Sequence, residues 1–290
     1  MNIIEDNKNK IENYKINAPH PSYIAGFIDG DGCIYIRKIK DGYNSGINIT
    51  QSRTNILQIL KYHYGGKIIK PSKILTENNF NEYGFYDINN RRNSYNLVIN
   101  SVDYIFLLND IKDYIILKEQ QISALYSFSK MVNKQNLNNE KEELFNLCSY
   151  NNKNKLQDKY NFSKICIEYI QGLFDAEGCI FVSYKKENNE IKFTKGVYLK
   201  ITQKNHPQII IEIQKFLGFG KISNYTYYID NFEDCLKLIK CGVIVKYKQI
   251  CVFEEYLLSR LEKNDKYNDE IHLKRYNLYK IINMEKHDGI

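Results

Sequence analysis

Ile24-Ala25-Gly26-Phe27-Ile28-Asp29-Gly30-Asp31-Gly32 and Ile170-Gln171-Gly172-Leu173-Phe174-Asp175-Ala176-Glu177-Gly178 are two versions of one stretch. They stand 170 − 24 = 146 residues apart, about half of a 290-residue chain. Each runs as an apolar helical turn, then an acid, a small residue, a second acid and a glycine. Each is followed by an alternating strand, Cys33-Ile34-Tyr35-Ile36 and Cys179-Ile180-Phe181-Val182. Self-similarity on this scale sets the architecture before any single element is assigned.

Small residues recur at i, i+4 on both helical turns, at Gly26 and Gly30 and at Gly172 and Ala176. That spacing lets two helix backbones approach closely. If the two turns pack side by side, their C-terminal ends meet and Asp31 comes close to Glu177, one acid from each half. Two carboxylates there are unfavourable, because the C-terminal end of a helix is already negative. A divalent cation removes that cost, and hard oxygen ligands with no thiol or imidazole nearby suit magnesium or calcium. Asp-Gly and Glu-Gly are also ordinary helix-to-turn punctuation, with glycine as the cap. Duplication of the whole ending is what punctuation alone does not explain.

The flanks continue the repeat. Pro19 and Pro21 bracket the start of the first helix, with Ser22 as its N-cap. Alternation then places Ile34 and Ile36 on one face and Cys33, Tyr35, Arg37 and Ile39 on the other. Asp41-Gly42 and Ser45-Gly46 mark a turn region. The return strand puts Ile47 and Ile49 in the core, Asn48 and Thr50 opposite, and ends at Gln51. A helix over 54–64 stops at Gly65-Gly66. Strands at 67–70 and 95–99 flank a polar segment, 71–94, and helices follow over 102–117, with a break near Asn109-Asp110, and 118–132. The second half repeats the order. A strand at 179–185 turns Ile180 and Val182 inward and Phe181, Ser183 and Lys185 outward. A return strand at 197–203 turns Val197, Leu199 and Ile201 inward. A helix at 206–217, a hairpin at 221–229 and helices at 232–240 and 246–262 complete it. Local matches bind the halves together: Ile49-Thr50-Gln51 with Ile201-Thr202-Gln203, Gly66-Lys67-Ile68 with Gly220-Lys221-Ile222, and Lys118 with Gln121-Ile122 against Lys246 with Gln249-Ile250. The chain divides into a polar lead (1–19), a first half (20–132), an Asn- and Lys-rich linker with a helical patch at 140–147 (133–162), a second half (163–262) and a C-terminal extension (263–290). An amphipathic helix at 268–283 in that extension is expected to pack on the second half.

Composition narrows the class. The formal charge is +7 and the isoelectric point about 8.8, which tilts toward a polyanion-binding face. No apolar run approaches the roughly 18 residues of a membrane span. The first residues have no apolar signal-peptide core, and Glu5, Asp6 and Glu12 argue against a transit peptide. Seven cysteines without a C-x-x-C pair read as reduced thiols in an intracellular setting. The five histidines form no ligand cluster, so zinc is not expected. Abundant Tyr, Lys, Asn and Ile with scarce Ala and no Trp indicate an AT-rich gene, in an organelle or an AT-rich nuclear genome.

The duplicated motif resembles that of the LAGLIDADG homing endonucleases, in their two-motif, single-chain form, over roughly residues 20–130 and 163–262. The resemblance implies an α+β fold of two pseudo-symmetric αββαββα halves, which the element order supports by itself. The halves pack along their motif helices and set two antiparallel sheets into a saddle. It implies hydrolysis of both strands of a long, non-palindromic double-stranded DNA target by a monomer. Asp31 and Glu177, with the carbonyls of Gly30 and Ala176, would hold two or three divalent ions, magnesium with manganese able to substitute. Gln51, Gln203, Lys118 and Lys246 form a supporting catalytic shell. Outward strand residues give the expected DNA face: Tyr35, Arg37, Asn48, Arg91 and Arg92 from the first half, Ser183, Lys185, Tyr198 and Lys200 from the second. Asp29 and Asp175 are read as structural helix-end residues. Gln171, where the family favours a small alanine, points to an asymmetric helix contact, and Glu177 adds a methylene relative to Asp31. The biological setting implied is mobility of an intron or of the gene itself, in a mitochondrion or alternatively a chloroplast. The competing reading on the same fold is an RNA maturase that binds intron RNA, and more distant ones are a non-catalytic DNA-binding regulator and a small-molecule enzyme.

Overall fold

The computed structural model describes residues 18–70, 80–81, 84–85, 94–100, 103–131, 137–154, 160–182, 185–187, 190–192, 197–240, 243–259 and 269–287. The polar lead expected over 1–19 therefore falls almost wholly outside the described residues.

The two motif stretches are helices, α1 (Pro21–Asp31) and α6 (Ile167–Glu177). Proline fits the first turn of α1 because its missing N–H would have no intrahelical partner there. His20 caps the helix, its Nδ1 accepting from the Ser22 amide at 3.3 Å. Ser22, expected as the cap, instead lies buried inside the first turn, 2.6 Å from His20 Nδ1 through its hydroxyl. Both helices end on extended glycines, Gly32 at φ −79° and Gly178 at φ −77°. Glycine is therefore needed here for space. A Cβ at Gly32 would stand 2.7 Å from the Ile28 carbonyl oxygen, and one at Gly178 would stand 2.3 Å from that of Phe174.

Helices α1 and α6 pack backbone against backbone. A Cβ on Gly26 would lie 2.1 Å from the Tyr169 carbonyl oxygen, and one on Gly172 would lie 1.9 Å from that of Tyr23. One turn on, a Cβ on Gly30 would meet the Ala176 methyl at 2.3 Å. The contact is reciprocal at its glycines although Gln171 replaces a small residue. Gln171 is buried.

Each motif helix runs directly into a four-stranded antiparallel sheet. In the first half these strands are β1 (Gly32–Ile39), β2 (Gly42–Gln51), β3 (Lys67–Ile69) and β6 (Tyr95–Asn100), in the order β1-β2-β6-β3. Between β3 and β6 lie the two-residue strands β4 (Phe80–Asn81) and β5 (Gly84–Phe85). In the second half β7 (Gly178–Val182), β10 (Val197–Thr202), β11 (Lys221–Ser223) and β12 (Thr226–Ile229) follow the order β11-β12-β10-β7. The period-2 pattern holds on the core side: Ile34, Ile36, Ile47, Ile49, Ile180, Val182, Val197, Leu199 and Ile201 are all buried.

Three local expectations change. Ile39 pairs with Gly42, so the β1–β2 turn is Lys40-Asp41, and Ser45 and Gly46 lie within β2 opposite Ile36 and Tyr35. A Cβ at Gly46 would stand 2.5 Å from the Ile99 carbonyl oxygen and 2.9 Å from the Tyr35 hydroxyl. Ser-Gly here makes room for a tyrosine and does not turn the chain. Asn109 and Asp110 lie inside α3 (Asp103–Ile111), and the helix breaks later, before α4 (Glu119–Ser129). The buried Asp29 carboxylate takes the amides of Ile116, Leu117 and Lys118, which a continuing helix would need. Strand β7 ends at Val182, and Lys185 belongs to a separate ribbon of β8 (Lys185–Glu187) and β9 (Glu190–Lys192).

The remaining helices back the sheets: α2 (Asn55–Tyr64) in the first half, and α7 (Pro207–Leu217), α8 (Phe232–Lys240) and α9 (Tyr247–Ser259) in the second. The expected linker holds a longer helix than its patch suggested, α5 (Asn138–Asn154). It lies along the edge strand β1, where Asn152 Nδ2 donates to the Ile34 carbonyl at 2.8 Å and Cys148 Sγ approaches the same oxygen at 3.6 Å. Covering an edge removes a template for unwanted pairing. Helix α10 (Asp269–His287) packs on α9 as expected: Gln249 Nε2 donates to the Ile282 carbonyl at 3.1 Å, and buried Arg275 binds Ser259. Among the described residues no helix is long and apolar enough to cross a membrane.

Because the blocking atoms at Gly26 and Gly172 are backbone, the Gly172→Ala change must push α1 and α6 apart. Overpacking of this kind costs about 1–3 kcal/mol or more. The expected outcome is a melting temperature lower by roughly 5–10 °C for Gly26→Ala and Gly172→Ala alike, measured by calorimetry.

Candidate active site

The packing of α1 on α6 brings two acids together. Asp31 and Glu177 are the last residues of their helices, and a Cβ on Gly30 would lie 3.2 Å from Glu177 Cγ. Each acid is held by a glutamine at its half's return strand, Gln51 as the last residue of β2 and Gln203 just after β10. Gln51 donates to Asp31 Oδ2, and Gln203 donates to Glu177 Oε1 at 3.2 Å. The two acids are not equivalent, since Asp31 is half-buried and Glu177 is exposed. Burial, and secondly the nearby Glu177 charge, push the Asp31 carboxyl up to about 7.

The two inner acids do different work. Asp29 accepts the amides of Ile116, Leu117 and Lys118 at 2.8, 2.9 and 3.0 Å, and the hydroxyl of Tyr169 from the other half at 2.8 Å. Asp175 accepts the amides of Ile244, Val245 and Lys246 at 2.6, 2.9 and 3.0 Å, and the hydroxyl of Tyr23 at 2.5 Å. Each carboxylate therefore anchors the loop carrying its own half's lysine and a tyrosine of the opposite half. This is the structural role expected of the pair. Burial raises the Asp29 carboxyl despite the neighbouring Lys118.

Both lysines turn into the carbonyl ends of the motif helices. Lys118 Nζ donates to the carbonyls of Ile28 at 2.7 Å, Gly32 at 2.6 Å and Gly30 at 3.3 Å. Lys246 Nζ donates to the carbonyl of Phe174 at 3.0 Å and to that of Asp175. A cation here offsets the negative helix end. Burial pulls both ammonium groups below the ordinary lysine range.

A cleft of about 290 Å³ opens beside Lys246, lined also by Gln51, Arg53, Ala176, Gly178 and Cys179. The expectation of no thiol nearby is corrected by Cys179 in this lining. Cys33 and Cys179 each lie two residues beyond an acid, because the strand starts where the helix stops. The acids still fit a hard divalent cation. The Asp31 carboxylate, disfavoured by burial and by the Glu177 charge, is relieved by a 2+ charge, and magnesium takes few protein oxygens and keeps waters. Among the described residues no group of three or more His, Cys, Asp and Glu forms a closed metal cage.

The sheet residues expected to face DNA divide into several cases. Arg37 is exposed, with its guanidinium 4.4 Å from the centre of the Tyr35 ring. Tyr35 is only 6% exposed and its hydroxyl donates to Asn100 at 2.6 Å, so it is a buried support for Arg37. Asn48 is half-buried, with its Oδ1 turned inward and unpartnered among the described residues. Lys200 and Tyr198 lie half-exposed on the outer face of β10, and Tyr198 stacks on Phe181 at 4.5 Å. Arg91, Arg92 and Ser183 lie outside the described residues, and of Lys185 only its place on β8 is described.

Four contributing residues were not singled out from the sequence. Tyr23 and Tyr169 stand immediately before Ile24 and Ile170, so extending the repeat by one residue would have found them. Arg53 donates to the Val245 carbonyl, and Asn55 Nδ2 donates to that of Ile244 at 3.0 Å, both reaching across the halves. Their counterparts by the Gln51–Gln203 spacing are Asn205 and Pro207, so the repeat carried no signal for them.

Comparison with known proteins agrees with this architecture. Residues 170–269 match the family model described as LAGLIDADG endonuclease. No curated protein matches the chain. The solved structure of I-SmaMI bound to an uncleaved DNA target with calcium ions is similar at TM-score 0.66 and 18% identity, over 89% of this chain and 97% of that one. The LAGLIDADG meganuclease I-AabMI bound to uncleaved DNA is similar at TM-score 0.63 and 19% identity, again over 89% and 97%. I-SmaMI bound to cleaved DNA gives TM-score 0.60 at 18% identity, over 88% and 95%. The resemblance read from the duplicated motif is thus found twice, as a family match in the second half and as the LAGLIDADG meganuclease fold of two pseudo-symmetric halves along the chain.

The raised Asp31 carboxyl has a consequence for stability. With a folded value about 7 against about 3.9 unfolded, the folded protein keeps a proton that the unfolded chain has released. Stability is therefore lost as pH rises from about 4 to about 7, by up to ~4 kcal/mol. In EDTA, Asp31→Asn should melt above the native protein at pH 8 and close to it at pH 4. Equal melting differences at both pH values would contradict the assignment.

Proposed function

We propose that this chain is a site-specific endonuclease that hydrolyses both strands of a long, non-palindromic DNA duplex with divalent metal ions. The observation that carries this reading is the meeting of Asp31 and Glu177 at the close-packed ends of two motif helices, each acid held by its own glutamine. The LAGLIDADG endonuclease match over 170–269 and the likeness to DNA-bound meganucleases support it.

The roles follow from the geometry. Asp31 and Glu177, with the Gly30 and Ala176 carbonyls, would hold two or three ions, of which magnesium fits the oxygen donors best. Bound cations of this kind activate water and neutralise charge on the phosphate. Gln51 and Gln203 fix the carboxylate rotamers. Lys118 and Lys246 place positive charge at the two helix ends, where a phosphate's developing charge would lie. The outer sheet faces, with Arg37, Lys200 and Tyr198, would lie against the duplex. They differ between the halves, as reading a non-palindromic site requires. Joining two halves in one chain makes a monomer sufficient. The AT-rich composition favours an organelle gene, mitochondrial before chloroplast, with intron or self-mobility as its setting.

Cleavage of a randomised DNA library in magnesium tests this reading. Asp31→Asn and Glu177→Gln should each abolish cutting and leave duplex affinity largely intact; undiminished cutting by both variants would remove the site assignment. Absence of cutting by a native protein that binds its precursor RNA tightly would favour the maturase.

Affinity for the duplex should also fall steeply with salt, the log–log slope being about −0.9 for each phosphate contacted. A flat response in a fluorescence titration would contradict a duplex-binding face.

A further inference from the structure

The two lysine loops are built alike from within but held differently from outside. In both, a motif-helix aspartate takes three successive amides, 116–118 to Asp29 and 244–246 to Asp175. The contacts that hold them from outside fall at different places, one residue before the three amides in the first loop and on two of the three residues in the second. The Ile115 carbonyl accepts from Lys164 Nζ at 3.1 Å, and Lys164 also pairs with Glu119 at 2.8 Å. The carbonyls of Ile244 and Val245 accept from Asn55 and Arg53.

Arg53 and Asn55 are not remote struts. They follow Gln51, the holder of Asp31, by two and four residues, at the junction of β2 and α2. One short path thus runs by hydrogen bond from the Asp31 carboxylate to Gln51, along two residues of main chain to Arg53, and by hydrogen bond across to the residue preceding Lys246. The equivalent junction after Gln203 does not mirror it. Lys204 and Asn205 are exposed, and His206 pairs with the Tyr160 hydroxyl at 2.9 Å. Gln51 and Arg53 of this path line the cleft beside Lys246 together with Ala176.

We propose that Arg53, assisted by Asn55, is a positioning residue that couples the Asp31 side of the site to Lys246, so that the two strands are cut unequally. This rests on the endonuclease reading. Arg53 acts through the Val245 carbonyl and thereby on the placement of the Lys246 ammonium; it need not touch the substrate. A misplacement of about 1 Å in a supporting loop costs up to ~100-fold in rate. Only one of the two lysines is exposed to that loss through Arg53.

The test uses the full chain and the target recovered from the library. Supercoiled plasmid carrying that target is followed through nicked circle to linear, and each strand is timed separately on end-labelled duplex. Arg53→Ala should slow one strand by about 10–100-fold, leave the other little changed, and accumulate nicked circle. Arg53→Lys, which retains one donor, should restore part of the rate. If Arg53→Ala fails to fold by calorimetry, Asn55→Asp decides; it keeps the shape and loses the donor to Ile244, and should slow the same strand. Equal slowing of both strands, or no slowing by a folded variant, overturns the proposal and leaves the endonuclease reading standing. A native protein that cuts no sequence in the library takes down that reading itself, and this inference with it.

Discussion

Two helix backbones touch at Gly26 and Gly172, and the remaining geometry depends on that contact. A single methyl on either glycine would sit about 2 Å from a carbonyl oxygen of the other helix. At this distance the helix ends cannot drift, so Asp31 and Glu177 are held as neighbours by main-chain packing. The crosswise bonds of Tyr23 to Asp175 and Tyr169 to Asp29 lock the same contact from the sides. Those aspartates in turn hold the lysine loops, so one interface sets acids, lysines and loop breaks together.

The site is electrostatically poised. Two carboxylates stand at negative helix ends, and one is driven toward its neutral form by burial and by the other acid. Lysines whose ammonium groups are themselves disfavoured by burial supply the local positive charge. The arrangement is less stable than neutral side chains would make it. Groups perturbed by burial and by one another in this way mark a candidate functional site.

Much of this was legible in the sequence, for identifiable reasons. The duplicated motif exposed the helix pair, the paired acids and the glutamines, because backbone contact demands small residues at fixed spacing and the matching strands end alike. Strand faces were legible through alternation, as at Ile47 and Ile49. Misreadings arose where a residue's reason was tertiary. Ser45-Gly46 looks like a turn, but the glycine clears space for Tyr35. The helix after 103 breaks where Asp29, distant in sequence, takes its amides. Tyr35 alternates outward, yet Asn100 and Arg37 cover it. Arg53 left no trace in the repeat, since its counterpart is a different residue making a different contact.

The crosswise tyrosine–aspartate pairs are one contact seen twice, related by an approximate two-fold axis between the halves. An interface of that kind is isologous, the sort by which identical subunits recognise each other. A single half carries both the tyrosine and the aspartate, so this part of the seam is self-complementary, whereas the Arg53 and Asn55 contacts to Val245 and Ile244 are not mirrored. Because the self-complementary pairs lie at the helix seam, the outer sheet faces of the two halves are free to differ without disturbing it.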